Sequence, residues 1–298
     1  MFPAFLTTLL FSISATTASR SVAHLGSNLA NVCRLTVATI LLGCIALALG
    51  VWANSTIFWI FFFSGVVGFG IGDVGLFYAF PRIGARLCVL YSQCVAAPIA
   101  GIIEWLWLGT SVSTMQIVWA VCILIGVAIA LDISNTQHFK KSQWLSGTLF
   151  GLMAAFGQGA GAVISRYGYD KVLEQGETLP PLTAAFYRVI GGLIIGVLAL
   201  WMLRKKKQPG ESKKSLFSKA VIFFVLLNAL TGPVLGVTCY QWALAIKQSF
   251  VVLPIIALTP ITVIPLSMLL ENDRPSIVSI IGAVIAVISA ILLSLVTL

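Results

Sequence analysis

Ten apolar segments of about 20 residues run along this chain, and each has the length that carries a helix across a bilayer. They lie near 2–18, 30–52, 56–79, 86–107, 114–132, 145–165, 182–203, 217–242, 248–270 and 275–297, and the breaks between them hold charge, Gly, Pro or Asn. Composition agrees: 59% of the 298 residues are hydrophobic, 9% are charged, and the mean hydropathy is +1.04. A soluble domain carries about 25% charged residues to cover its surface. The outside of this chain must therefore face lipid, and the expected fold class is an all-α polytopic membrane protein. The net charge of +9 is concentrated in little exposed chain. That argues against nucleic-acid binding and makes the charge a topology signal.

The first segment carries small residues, Ala15 and Ala18, but no basic stretch ahead of its apolar run. It reads as a mature span rather than a signal peptide. Cys33, Cys44, Cys88, Cys94, Cys122 and Cys239 all fall within or at the ends of spans, without metal-ligand spacing. They read as small buried hydrophobes. Setting aside Arg34 and Arg188, loops after odd-numbered spans hold thirteen Lys and Arg, and loops after even-numbered spans hold three. The bias places the odd loops in the cytoplasm and both termini outside. The densest cluster, Arg204 to Lys219, reads as a solvated loop that anchors topology, with contact to anionic lipid as the functional alternative. Trp52, Trp59, Trp105, Trp107, Trp144 and Trp201 lie near span ends, as interfacial belts require. A cell membrane, bacterial and inner, is the expected location.

The chain repeats itself. An ungapped offset of 162 aligns Pro98 with Pro260, Gly70 with Gly232, Tyr78 with Tyr240, and Ile60-Phe61-Phe62 with Ile222-Phe223-Phe224. Nearer the start of each half, Ser19-Arg20 resembles Ser165-Arg166, and Arg34 within 30–43 resembles Arg188 within 184–196. Five spans is an odd number, so the second copy enters the membrane upside down. Two inverted five-helix repeats, over 1–133 and 145–298 with a linker at 134–144, are the expected organisation. Such inverted repeats are the architecture of alternating-access transporters.

In these features the chain resembles the ten-span exporters of the drug/metabolite transporter superfamily, the EamA type, over essentially its whole length. The residues that carry the resemblance are Arg34 and Arg188, Tyr78 and Tyr240, Pro98 and Pro260, and Leu269-Leu270-Glu271 before the last span. The Leu-Glu ending departs in the first half, which reads Leu108-Gly109-Thr110. The resemblance implies efflux of small metabolites, such as amino acids or related solutes, through a central cavity.

Ionisable groups inside spans are functional candidates by default, and four stand out: Arg34, Asp73, Glu104 and Arg188. The arginines either clamp backbone carbonyls or a carboxylate, or recognise a substrate carboxylate through the planar guanidinium. Asp73 either carries a coupling proton or forms a fixed pair with Arg34 or Arg188. Glu104, beside Trp105 and Trp107, reads as a wet interfacial carboxylate. The run Gly70-Ile71-Gly72-Asp73-Val74-Gly75 spells a dinucleotide-binding motif, but without the strand-turn-helix context that motif needs. Gly68-x-x-x-Gly72 and Gly192-x-x-x-Gly196 read instead as close helix contacts.

Gln158, among small residues in 157–161, either faces the cavity or bonds a neighbouring helix. Tyr240-Gln241 and Tyr91-Ser92-Gln93 add aromatic and hydrogen-bonding groups at span depth, which suits a solute cavity. The substrate-binding candidates are therefore Gln158, Tyr78, Tyr240, Gln241, Tyr91, Gln93, Arg188 and Arg34. Pro98 and Pro260 are candidate gating points, or simple packing kinks, because a missing N–H frees a carbonyl and softens a helix.

The function these features fit is a secondary transporter that acts on a small solute within the lipid bilayer, as monomer or homodimer, without cofactor or metal and not as an enzyme. The alternative is an integral membrane enzyme acting on lipid-soluble substrates. That chemistry wants paired acids or a His/Cys site, yet only two of nine acids lie in spans, and His24 and His138 fall in connections. No channel-type selectivity ring and no phosphate-binding P-loop occur in the sequence.

Overall fold

A computed structural model describes residues 2–130, 141–203, 218–271 and 276–296. The basic stretch 204–217, most of the 134–144 linker, His138 and Arg274 lie outside these residues. The described chain is helical, with no strand among the described residues. Its helices are α1 (Phe2–Leu25), α2 (Ser27–Leu49), α3 (Ser55–Gly65), α4 (Asp73–Val89), α5 (Ala96–Leu108), α6 (Thr114–Ala130) and α7 (Lys141–Glu174). They continue with α8 (Pro181–Leu203), α9 (Lys219–Ala229), α10 (Leu235–Ile246), α11 (Ser249–Ile256), α12 (Thr259–Glu271) and α13 (Ile277–Val296). Wide π-helical turns join α3 to α4 (Val66–Gly72), α4 to α5 (Leu90–Val95) and α9 to α10 (Leu230–Val234).

Seven helical rods are long and apolar enough to cross a membrane: Phe2–Leu25, Ser27–Leu49, Ser55–Ala85, Leu87–Leu108, Lys141–Glu174, Pro181–Met202 and Lys219–Ile246. Shorter apolar helices cover Thr114–Gly126, Ser249–Val263 and Ile280–Leu293. Most helix bounds fall within a few residues of the expected spans. Three run further than expected, and the third rod does so by continuing from 79 to Ala85. α1 continues to Leu25 and carries Arg20 on the helix rather than in a loop. α7 continues to Glu174 because its extra turns carry i,i+4 and i,i+3 ion pairs, Arg166–Asp170 and Lys171–Glu174. The expected span 248–270 is divided at Ala257-Leu258 into α11 and α12.

Consecutive rods turn back on themselves at alternate ends of the bundle. Gly26 and Gly84, at φ 77° and 73°, mark one end. Gly50, Gly109 and Gly176, at φ 63–66°, mark the other. In these turns the backbone is left-handed, which only a residue without Cβ adopts cheaply. The two ends are called the Gly84 end and the Gly109 end below.

Glycines also set how closely the middle helices cross, since lipid supplies no hydrophobic push and helix association rests on close packing. A Cβ on Gly65 would lie 1.9 Å from the Arg188 carbonyl oxygen, and one on Gly191 would lie 2.2 Å from that of Phe62. One on Gly157 would meet Gly72 Cα at 2.4 Å. The 55–85 rod is thereby sandwiched between α7 and α8 with backbones nearly touching. Gly68, Gly72 and Gly192 lie at this crossing, and a Cβ on Gly192 would meet Phe69 Cβ at 2.2 Å, whereas one on Gly196 would meet nothing closer than 3.6 Å. The Gly70–Gly75 run lies in this helix crossing, not in a nucleotide-binding loop.

α1 is rich in buried hydroxyls. Thr7, Thr8, Ser12, Ser14, Thr16, Thr17 and Ser21 are all buried. Most bond carbonyls three or four residues back in the same helix, which lets a polar helix sit in an apolar bundle. Thr8 and Ser12 also reach the carbonyls of Ile255 and Thr259, on either side of the α11–α12 break. Pro260 has no N–H to offer Ile256, and the Thr259 hydroxyl takes that carbonyl instead. The break is stitched rather than loose.

Candidate functional site

Arg34 projects from α2 into the middle of the bundle and is buried. Its Nη2 pairs with the Asp73 carboxylate, at the point where the π-helical turn Val66–Gly72 hands over to α4. Its Nε donates to Asn31 Oδ1 at 3.1 Å, and its guanidinium lies 4.6 Å from the Phe77 ring centroid. Asn31 precedes it by three residues and so shares its helix face. In this structure the partner of Asp73 is Arg34.

Arg188, on α8, is 1% exposed and has no such partner. Its guanidinium lies 5.4 Å from the Phe69 centroid and 5.6 Å from that of Tyr240, a cation–π sandwich. Nε and Nη1 are buried without a hydrogen-bond partner. The two arginines approach matching places. A Cβ on Gly232 would lie 3.3 Å from Arg34 Nη1, and one on Gly68 would lie 2.7 Å from Arg188 Nη2. Shifted back by 162 residues, the π-helical turn Leu230–Val234 falls on 68–72, inside Val66–Gly72. A wide turn thus faces each arginine across the bundle.

These groups line one internal cavity of about 70 Å³. At roughly 10–15 Å³ per water by this measure, that is room for a handful of waters. Arg34, Asp73, Gln93, Gln158, Arg188 and Tyr240 line it, so six of the expected site residues are brought together. The cavity reaches from Arg188 and Tyr240 toward the Gly84 end, where Ala18, Phe80 and Val89 form its wall. Toward the Gly109 end the space is filled by Ile57, Phe61, Tyr169, Leu244, Leu253 and Ile256.

The other five expected residues lie elsewhere. Tyr78 is buried under Phe150, with its hydroxyl accepting from Asn28 Nδ2 at 2.8 Å and Arg82 packed on its ring. Tyr91 packs on α7 at Gly151. Gln241 is fully buried, donating to Ser165 Oγ at 3.4 Å, and Ser165 in turn shares a hydrogen bond with Ser64. Pro98 is exposed, on an apolar groove of about 450 Å³ between α5, α6 and α11 that has no charged residue in its lining. Pro260 is buried at the α11–α12 break.

Several lining residues have no place in the sequence expectations. Ser14 donates to Asn228 at 2.8 Å, and Phe69, Phe77 and Thr259 complete the wall. Polarity inside an apolar span is a readable signal for Ser14, Asn228 and Asn31. Nothing distinguishes Phe69 or Phe77 from the other phenylalanines.

Glu104 departs from its expected wet interface. It is fully buried, and its carboxylate accepts from Ser249 N at 3.2 Å, Phe250 N at 2.9 Å and the Ser249 hydroxyl at 2.5 Å. The reason is the broken ninth span: α11 begins at Ser249, and a helix start offers free N–H groups and positive dipole. Arg166 does the complementary job one turn away. Its guanidinium donates to the carbonyl of Leu244 at 2.9 Å, near the end of α10, and to Asp170 at 2.6 Å. The turn 247–248 at the Gly109 end is thus held by an anion on one helix start and a cation on one helix end.

A search of curated proteins found no match. A solved structure described only as "Crystal structure of protein" is similar in fold, with a TM-score of 0.72 over 99% of this chain and 96% of the other at 17% identity. The family model for the EamA-like transporter family matches residues 1–131 and again 145–295. With nearly the whole chain matched, and with rods apolar enough to cross a membrane, the protein is a multi-pass membrane transporter of the drug/metabolite type and belongs to the EamA-like transporter family.

Proposed function

We propose that the protein is a secondary transporter that exports small metabolites, amino acids or related solutes, by alternating access through the cavity at Arg188. In this reading ten spans form two inverted repeats, 1–133 and 145–298, joined by 134–144. The three shorter apolar helices complete the count beyond the seven long rods. Both termini face outward, and the Gly84 end is cytoplasmic, in the bacterial inner membrane. The observation that carries the reading is the crosswise match of the two arginines. Arg34 and Arg188 sit at matching places in the two halves, and each meets the wide helical turn of the opposite half, at Gly232 and Gly68. A cavity built between two alike but opposed halves can open to either side by exchanging their conformations.

This packing corresponds to a state closed outside. Packing fills the Gly109 end, while the cavity extends toward the Gly84 end. Asp73, the carboxylate among the described residues lining the cavity, is the candidate carrier of a coupling proton. Asp73→Asn that keeps full pH dependence of transport removes that role. The functional test is a resistance screen. Cells overexpressing the protein should survive a subset of toxic metabolites, and a Gln158→Leu/Tyr240→Phe variant should lose that protection. A variant that protects as well as wild type against every such compound contradicts the cavity.

A further inference from the structure

The charge of the cavity is unbalanced. Among its described lining residues the charged groups are Arg34, Asp73 and Arg188, for a net charge of +1. Arg34 and Asp73 neutralise one another. Glu104 is committed to the start of α11. The segment Lys219–Ile246, which corresponds to the one that carries Asp73, contains no acid at all. Arg188 is left as a buried cation with two N–H-bearing nitrogens unpartnered. A lone buried charge costs several kcal/mol, and a group that meets it only part of the time must supply the missing hydrogen bonds.

We infer that Arg188 is the receptor for the cargo's anionic group, and that the preferred cargo is a small monoanionic carboxylate with an apolar or aromatic body, not a zwitterion. The inference rests on the transporter reading above and narrows its cargo from amino acids or related solutes to acids that lack the ammonium group. The unpartnered Nε and Nη1 lie on different edges of the guanidinium, and with Nη2 either edge forms a planar fork that takes a carboxylate by two parallel hydrogen bonds. The neighbouring unpartnered groups are also able to donate: Gln158 Nε2 and the Tyr240 hydroxyl. Phe69, Phe77 and Phe80 give the rest of the cavity an aromatic wall. At about 70 Å³ the cavity is smaller than a small aromatic acid, so the cargo enters as the cavity widens during opening. An ammonium finds no free carboxylate there, because Asp73 is taken by Arg34. Gln93 Oε1, buried and unpartnered, is the acceptor left for a neutral N–H or O–H on the cargo.

Three probes with one body separate the classes: 3-phenylpropionate, its amide, and phenylalanine. In detergent, 3-phenylpropionate should raise the melting temperature of the purified protein, while the amide and phenylalanine leave it unchanged. Arg188→Gln should abolish that response. Arg188→Lys keeps the charge but loses the fork, and should weaken binding about tenfold. Gln158→Leu, which leaves the cation in place should Arg188→Gln fail to fold, should weaken binding by a similar factor. The inference is overturned if 3-phenylpropionate gives no shift, if phenylalanine or the amide matches it, or if Arg188→Gln responds like wild type. Efflux from proteoliposomes separates this from the broader reading. Binding of 3-phenylpropionate without any efflux contradicts transport and leaves the receptor standing. Efflux of phenylalanine but not 3-phenylpropionate contradicts the receptor and leaves transport standing.

Discussion

Arg34 and Arg188 have similar sequence surroundings and opposite fates. One is balanced by Asp73 and Asn31, and the other rests on the faces of Phe69 and Tyr240. Removing one partner of a buried pair strands the other charge, at a cost of about 3–5 kcal/mol. Asp73→Asn should therefore lower the melting temperature sharply, and adding Arg34→Gln should recover most of the loss because no charge is then stranded. Single and double variants melting alike would show that the pair does not hold the core. The sequence pointed to both arginines and to Asp73, since ionisable groups in lipid are conspicuous. It left open which arginine takes the acid, because that depends on where the α3–α4 turn swings Asp73 in space. Glu104 was misjudged for a related reason: neighbouring tryptophans mark depth, but the helix start it serves is 145 residues away in sequence.

Between helices, the glycines act as spacers, and their effects are graded by distance. Gly191→Ala places a methyl 2.2 Å from a rigid carbonyl, whereas Gly196→Ala meets nothing closer than 3.6 Å. Gly191→Ala should destabilise by about 1–3 kcal/mol through forced separation of α8 from the 55–85 rod, and Gly196→Ala should be nearly silent. Thermal melting of both variants checks this, and equal effects would contradict the crossing. The clamp on the 247–248 turn makes a different prediction. Glu104→Gln keeps size but gives up the charge that favours the α11 start, so the Gly109 end should open more readily. A cysteine at position 165, in a background without the native cysteines, should then react faster with a membrane-impermeant thiol reagent applied from outside. An unchanged rate would separate the clamp from the gate. The seven long rods were legible because each needs its own apolar run. The division of the ninth span was not, since prolines at 254, 260 and 265 allow a kink at several places and the hydroxyls of α1 settle which one forms.

For the molecule as a whole, the proposed orientation rests on the Lys and Arg bias and the proposed mechanism on the internal repeat. Cysteines placed in 204–219 should be protected from impermeant reagents in intact cells, and cysteines near Lys247 should be labelled. Labelling of 204–219 from outside reverses the topology. The repeat was readable as an offset of 162, yet the cavity wall was only half readable, because the lining residues of α1 and the lining phenylalanines Phe69, Phe77 and Phe80 carry no repeat signature. In the proposed cycle one cavity serves both sides of the membrane, but never both at once. A single cysteine at position 92, on the cavity wall, tests it most directly when labelled separately from the outside of cells and from the cytoplasmic face of inverted vesicles. The account predicts faster labelling from the cytoplasmic face in the otherwise wild-type protein. Adding Glu104→Gln with Arg166→Gln should raise the outside rate while lowering the cytoplasmic one. Outside and cytoplasmic rates that rise together would reveal a continuous pore and contradict alternating access.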